Sequence, residues 1–262
     1  MTDIATAAFV VHDGKTGAVE QAAALRSLLE SHGIKIEDDS PDLVIALGGD
    51  GTMLRAARLA HASDALLIGI NQGTLGYLTE VESDHGSEAL ERILSGSYEV
   101  EERLMLDCTC GEGRSFVGLN EVLVERAVRH RLVRLAVSLG GERLASFNGD
   151  GVIVATPTGS TAYALSAGGP VVSPRASCLI LVPVNAHMIF SRPFVLAPDE
   201  TVEISLENED HRASLVLDGV EGCDVWPNDV VTIRRHERPL RLVRTSGPGF
   251  VERLRAKLGL PG

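Results

Sequence analysis

Three glycines and one carboxylate stand together at Gly48-Gly49-Asp50-Gly51-Thr52. Glycines let main-chain N–H groups approach a phosphate closely, and a helix starting there adds a positive partial charge. Asp50 is the odd member, because an anion does not belong in a cradle built only to hold phosphate. A carboxylate fits if it takes a proton from an attacking hydroxyl or positions a metal ion, which is the chemistry of phosphoryl transfer. The alternative is an ordinary strand–turn–helix corner with a turn Asp, since short glycine motifs recur by chance. Arg55, one helical turn on, is a candidate phosphate or ribose contact; the plain alternative is a solvated helix residue. A second chemical stretch runs from Asn148 to Pro170 and carries Thr156, Thr158, Ser160 and Thr161 around a turn. Hydroxyls at a helix N-terminus make a nucleotide site, with Ser160 or Thr161 able to cap the helix and Gly168 ending it. An ordinary capped helix would need one hydroxyl rather than four. Between these stretches lies Asn120-Glu121 in an otherwise apolar run. An amide beside a carboxylate could read a ribose and a base edge, or could simply be one inward and one outward residue at a strand start.

The elements around these residues follow from pattern. Leu43 to Leu47 has the length and composition of a buried strand, and Met53, Leu54, Ala56, Ala57 and Ala60 recur at helical spacing after the glycines. The glycine corner therefore sits at the carboxyl end of a strand, where α/β folds dock ligands. Ala7 to Val11 reads as a first strand. Val19, Ala22, Ala23, Leu25, Leu28 and Leu29 form a helical stripe from Gly17 to His32, closed by Gly33. Ala65 to Ile70 is another buried strand opening onto Asn71-Gln72-Gly73-Thr74-Leu75-Gly76-Tyr77-Leu78, a second glycine loop expected at the same sheet edge. A helix from about Ser87 to Leu94 closes the segment. Alternating strands and helices predict a parallel sheet with right-handed crossovers.

After Gly96 short runs with period-two alternation predict strands at Leu104 to Cys110, Leu119 to Glu125, Arg131 to Leu139 and Arg143 to Phe147, with Gly140-Gly141 as a hairpin turn. Further strands are expected at Gly151 to Ala155, Cys178 to Val182, Val202 to Leu206, Ala213 to Leu217 and Val230 to Arg234. Asp218-Gly219 and Pro227-Asn228-Asp229 read as turns. From Pro248 the chain is helical and basic. The fold class is a Rossmann-like α/β N-terminal domain with a parallel sheet, over residues 1–100, and a mostly antiparallel all-β domain over 101–240. A C-terminal segment, 241–262, returns so that its helix packs back on the first domain.

The 262 residues are 44% hydrophobic and carry a net charge of −12. That balance argues against a broad nucleic-acid or anionic-membrane surface, so a phosphate must be met locally. The start Met1-Thr2-Asp3 lacks the pattern of a signal peptide, and the apolar block Cys178 to Val184 is too short to span a bilayer. Cys108 and Cys110 share one strand face; Cys178 and Cys223 form no second close pair of the kind a zinc site wants. Four structural thiols in a reducing cytoplasm are the expectation.

The chain resembles the NAD kinases over almost its whole length. The matching pieces are GGDGTMLRAAR, GINQGTLGYLTEV, LNEVLVER, NGDGVIVATPTGSTAYALSAGGP and the Arg192-Pro193 of Ser191-Arg192-Pro193, in the family's order. GGDGT alone is shared with diacylglycerol, sphingosine and phosphofructokinase-type enzymes; the long GDG…TPTGSTAY…SAGGP block is far more specific. The resemblance implies transfer of the γ-phosphoryl of ATP, or of polyphosphate, to the 2′-hydroxyl of the adenosine ribose of NAD, giving NADP, with a divalent metal such as Mg2+. It implies Asp50 as proton acceptor, and Gly48, Gly49, Gly51 and Thr52 as the phosphate-donor turn. It implies NAD contacts at Asp50, Gly51, Arg55, Asn120 and Glu121. Thr161, Ala162, Tyr163 and Ser166 would form the adenine side, and Asp150 would reach the nicotinamide end, with Arg131 a candidate cation there. It also implies a cytoplasmic homodimer or homotetramer without nucleic-acid or membrane partners. Two departures stand out. Ala186-His187-Met188-Ile189 keeps the histidine of a family motif but not its neighbours, and Val220 stands where many members carry a polar residue. The rival readings are a lipid or sugar kinase sharing GGDGT and a non-catalytic NAD(P)-binding regulator; the retained Asp50 counts against the second.

Overall fold

The computed structural model describes residues 4–12, 14, 16–73, 76–111, 113–128, 130–187, 192–207, 212–245 and 247–261. The chain forms two compact units, residues 1–103 with 239–262, and residues 104–238.

The first unit is built on a seven-stranded sheet. Thr6–Val11 lies between Lys35–Ile36 and Leu43–Gly48, and Leu43–Gly48 pairs with Leu66–Asn71, all in parallel. The two central strands are buried along their whole length, as continuous apolar runs in a parallel sheet must be. Helices Thr16–Ser31, Asp50–Ala62 and Gly86–Leu94 make the crossovers. Gly33 sits in the left-handed region at φ 81°, which ends the first helix at little cost. Leu25, Leu29, Leu47, Ile68, Ile70, Leu90 and Ile93 anchor the core. The sequence reading stops short of one feature. Leu240–Arg244 returns to this sheet, parallel to Leu66–Asn71 and antiparallel to Glu99–Arg103. The helix Phe250–Leu258 follows it, and its Arg253 is buried against residues 77–80 of the same unit.

The second unit contains two six-stranded antiparallel sheets. In one, Glu142–Gly149, Val133–Leu139, Val202–Leu206, Val230–Arg235, Leu106–Cys110 and Arg114–Gly118 are neighbours in that order. In the other the order is Phe194–Leu196, Leu179–Val184, Gly151–Ala155, Glu121–Arg126, Ala213–Leu217 and Val220–Val225. Alternate residues of both sheets share one core, with Leu106, Cys108 and Cys110 from the first and Val122, Val124, Val152 and Leu215 from the second. The far face of the second sheet packs on Ala164 of a short helix, Tyr163–Ser166. Gly140 and Gly141 both have positive φ, the backbone of a two-residue hairpin turn that follows the strand twist.

Candidate active site

The glycine corner joins the buried strand Leu43–Gly48 to the helix Asp50–Ala62, with Gly49 in extended backbone as N-cap and no side chain capping the helix. The three glycines do different work. A Cβ on Gly48 would lie 2.3 Å from Thr52 Oγ1, so the first turn of the helix can sit there only over glycine. Nothing lies within 4 Å of a Cβ built on Gly49 or Gly51. Those two face open space, and with His12, Thr52 and Arg55 they line a cavity of about 410 Å3. The Thr52 side chain is buried and its Oγ1 has no hydrogen-bond partner. Arg55 is exposed and donates from Nη2 to the Val11 carbonyl at 3.2 Å. The arrangement offers a phosphate an open glycine wall, a helix N-terminus and an exposed cation.

Asp50 is the first residue of the helix, and the second glycine loop is tied to it. Its Oδ2 accepts the Tyr77 N–H at 3.0 Å and its Oδ1 the Leu78 N–H at 3.0 Å. A Cβ on Gly76 would stand 2.1 Å from Oδ1, so that glycine makes room for the carboxylate. Strand pairing of Gly48 with Asn71 brings both loops to one sheet edge. Burial and the charge of Asp50 push the Tyr77 phenol up. Thr74 and Leu75 of this loop lie outside the described residues.

In the second unit Asn120 and Glu121 are held by a residue that sequence reading gives only as a turn. The Asp218 carboxylate, 8% exposed, accepts the N–H groups of Leu119 at 2.8 Å, Asn120 at 2.7 Å and Glu121 at 3.1 Å. Thr156 locks the same stretch from the other side: its Oγ1 donates to the Leu119 carbonyl at 2.6 Å and its N–H to the Asn120 carbonyl at 2.9 Å. A Cβ on Gly159 would lie 2.0 Å from that Asn120 oxygen. The TPTG turn is thus clamped on the Asn-Glu pair. Glu121 itself is buried, and its Oε2 has no hydrogen-bond partner. Burial first, then the nearby charge of Asp218, pushes its carboxyl up to about 8, so it holds a proton at neutral pH.

The expected helix cap at Ser160 or Thr161 is overturned. Thr158–Thr161 is a 3₁₀ turn, and the helix Tyr163–Ser166 begins after Ala162 with no side-chain cap. Ser160 Oγ instead donates to the Val172 carbonyl at 3.1 Å and accepts the Val172 N–H at 3.0 Å, tying the turn to the stretch after Gly169. Thr161 Oγ1 reaches only back to the Thr158 carbonyl at 3.4 Å. Ala162 is half-buried, and Tyr163 and Ser166 are exposed. The Tyr163 phenol is pushed up by burial and by the charges of Glu125 and Asp150. Asp150 pairs with Arg126 at 2.8 Å and accepts from Asn185 Nδ2 at 2.8 Å. Arg131 is exposed and lines, with Arg126, Arg212 and Trp226, a cavity of about 250 Å3. His187 is exposed, and its N–H donates to the Asn148 carbonyl at 2.7 Å. Val220 is exposed. Met188, Ile189 and Ser191 lie outside the described residues.

Among the described residues no three or more His, Cys, Asp or Glu side chains stand together as a metal site. Both Asp50 oxygens already accept amides. A divalent cation carried in on nucleotide phosphates needs few protein ligands, and a single carboxylate at the glycine corner is compatible with that.

A parallel α/β unit with a carboxylate at its glycine corner, followed by an antiparallel sandwich with a buried acid beside a hydroxyl turn, defines a two-unit nucleotide phosphotransferase. The sequence pattern of the ATP-NAD kinase N-terminal domain matches residues 11–98, and that of the ATP-NAD kinase C-terminal domain matches residues 119–245. The chain is 43% identical over 229 residues to an NAD kinase of Corynebacterium glutamicum, covering 85% of this chain and 78% of that one. It is 40% identical over 228 residues to an NAD kinase of Geotalea daltonii, covering 84% and 80%. Among solved structures it is similar to an NAD kinase from Archaeoglobus fulgidus in complex with ATP, at a TM-score of 0.75 and 26% identity, covering 97% and 96% of the two chains. The fold is shared with yeast NADH kinase complexed with NADH, at a TM-score of 0.90 and 20% identity, covering 100% and 89%. The chain belongs to the ATP-NAD kinase family.

Proposed function

We propose that this NAD kinase moves the γ-phosphoryl group of ATP to the 2′-hydroxyl of the adenosine ribose of NAD, with Asp50 accepting the proton of that hydroxyl. The observation that carries the reading is the carboxylate of Asp50, fixed by two amides at a helix N-terminus beside an open glycine wall. Phosphoryl transfer asks little covalent chemistry of the protein; it asks for alignment and charge neutralisation. Gly48 lets Thr52 pack under the turn, and Gly49 and Gly51, with Thr52 beneath them, give the donor phosphates an open wall of main chain at the helix N-terminus. Arg55 gives up a weak contact with one carbonyl to meet a phosphate. Asn120 and Glu121 hold the ribose and adenine of NAD, and the proton on Glu121 makes it a donor as well as an acceptor. Thr161, Ala162, Tyr163 and Ser166 wall the adenine side. Asp150, with Arg131, serves the nicotinamide end. Mg2+ held by the donor phosphates would supply charge neutralisation when bound. Polyphosphate as a second donor, assembly as a homodimer or homotetramer, and a cytoplasmic setting belong to the same reading.

The test is Asp50→Asn. Base catalysis of this kind contributes ~10²–10⁴-fold. The variant is expected to bind NAD as the parent does, by calorimetry, and to lose most of kcat in a coupled assay of NADP formation. Near-parental turnover would remove Asp50 from the role of base.

A further inference from the structure

The C-terminal helix carries one residue buried beyond what packing needs. Arg253 is 2% exposed. Its Nε donates to the Pro248 carbonyl at 2.8 Å, and its Nη2 pairs with Glu80 at 2.9 Å. Its Nη1 donates to the carbonyls of Tyr77, at 3.2 Å, and of Thr79. Glu80, 1% exposed, also takes Arg244 and the N–H groups of Thr245 at 2.9 Å and Gly247 at 3.0 Å. Burial pushes the Arg253 guanidinium down to about 10, which leaves it charged at neutral pH. A well-packed apolar side chain would hold helix to sheet at less cost than a desolvated ion pair. The guanidinium's value lies instead in its fork of donors, which holds two carbonyls of one loop, the Pro248 carbonyl and Glu80 at once.

That loop is the one that aims Asp50. Tyr77 takes part in both contacts: its N–H points to Asp50 Oδ2 and its carbonyl to Arg253 Nη1. Neither end has slack. A Cβ on Gly76 would lie 2.1 Å from Asp50, and one on Gly247 would lie 2.0 Å from the Glu80 carbonyl. We infer that Arg253 is a positioning residue for phosphoryl transfer, which acts from the C-terminal helix by holding residues 77–80 so that two amides set the carboxylate of Asp50. The inference rests on the role of Asp50 proposed above.

The experiment compares Arg253→Ala, Arg253→Lys and the double variant Arg253→Met with Glu80→Gln in the full chain. The double variant removes the buried pair as a unit while Arg244 keeps its contact with Glu101 at 3.3 Å, and so offers a second folded protein if the single change fails to fold. Arg255→Ala, on the exposed part of the same helix, is the control and keeps parental kcat. Loss of the grip on the loop is expected to lower kcat by about tenfold to a hundredfold, a part of the ~10²–10⁴-fold that base catalysis supplies. KM for NAD and for ATP should stay within about twofold. Arg253→Lys should restore part of kcat, because an ammonium can serve the carbonyls of Tyr77 and Thr79 but cannot also hold the Pro248 carbonyl and Glu80 in the fixed geometry of the guanidinium. Amide hydrogen exchange at Tyr77 and Leu78 should accelerate in the Ala and double variants. A folded variant with kcat within about twofold of the parent, or a rise in KM with kcat kept, or unchanged exchange at both amides, overturns the inference. If the parent chain itself makes no NADP from NAD and ATP, the reading of Asp50 falls, while the exchange rates still decide whether Arg253 holds the loop.

Discussion

Glu121 allows the energetic weight of one buried acid to be measured. Its side chain is 7% exposed, one of its oxygens has no partner, and its carboxyl is pushed from 4.5 up to about 8. A carboxyl raised on folding is favoured in its protonated form by the native state. In the unfolded chain the proton leaves near pH 4.5, so above that pH the unfolded state gains and the native state does not. The contribution of Glu121 is therefore intact below about pH 4.5 and drains away as pH climbs to about 8, at about 1.4 kcal/mol per pH unit. Over a window about three and a half pH units wide the loss is on the order of 5 kcal/mol. Glu121→Gln keeps the shape and removes the titration. The unfolding free energy of the Gln variant minus that of the parent should then rise steadily from about pH 5 to about pH 8 and level off above. Urea unfolding followed by tryptophan fluorescence reads it directly, because the single tryptophan, Trp226, lies in the same unit as Glu121. A difference that stays flat across that range would refute the account of Glu121 as a buried, protonated acid.

Two further outcomes are expected. Gly159→Ala would drive a Cβ to within 2.0 Å of the Asn120 carbonyl, a main-chain atom that cannot swing aside; a loss of about 1–3 kcal/mol in urea unfolding is expected, with weaker NAD binding by calorimetry. Chelation of divalent cations should abolish NADP formation and leave the thermal unfolding midpoint unchanged, as expected of a cation that arrives on the nucleotide phosphates.

The strands that the residues announce are those whose own pattern suffices. Gly151–Ala155, Val202–Leu206 and Ala213–Leu217 run between the bounds that alternation and turn chemistry predict. Glu99–Arg103 is different: four of its five residues are charged, and it is a strand because Leu240–Arg244, far along the chain, pairs with it. Strand formation there is decided by the partner and not by local preference. Arg114–Gly118, Val220–Val225 and Leu240–Arg244 escape sequence reading for the same reason. Around the site, the glycine corner and the Asn-Glu pair were legible as residue types at strand ends. The Asp218 clamp was not. Asp-Gly signals a turn, but nothing in it says that the carboxylate reaches back 97 to 99 residues to three amides. Ser160 likewise signals a cap by its type, while its actual partner, Val172, is set by the path of the chain after the short helix.

One device recurs where loops must be exact. Asp50 receives the amides of Tyr77 and Leu78, Asp218 those of Leu119 to Glu121, and Glu80 those of Thr245 and Gly247. Asp42 does the same for Ala5 and Thr6; burial alone would raise it, yet the two amides and the Thr6 hydroxyl hold it below the ordinary range. Part of the chain's acidic excess is thus spent inside the fold, fixing main chain, which is what a reaction governed by alignment requires. Glu121 breaks the rule. It is as deeply buried as Asp218, but its Oε2 has no partner, and it is pushed up where the half-buried Asp42 is pulled down. A buried carboxyl oxygen without a partner among the described residues calls for an explanation that packing alone does not give. That separates Glu121 from the structural carboxylates around it, and it is the reason Glu121 carries a ligand-binding role in the proposal above.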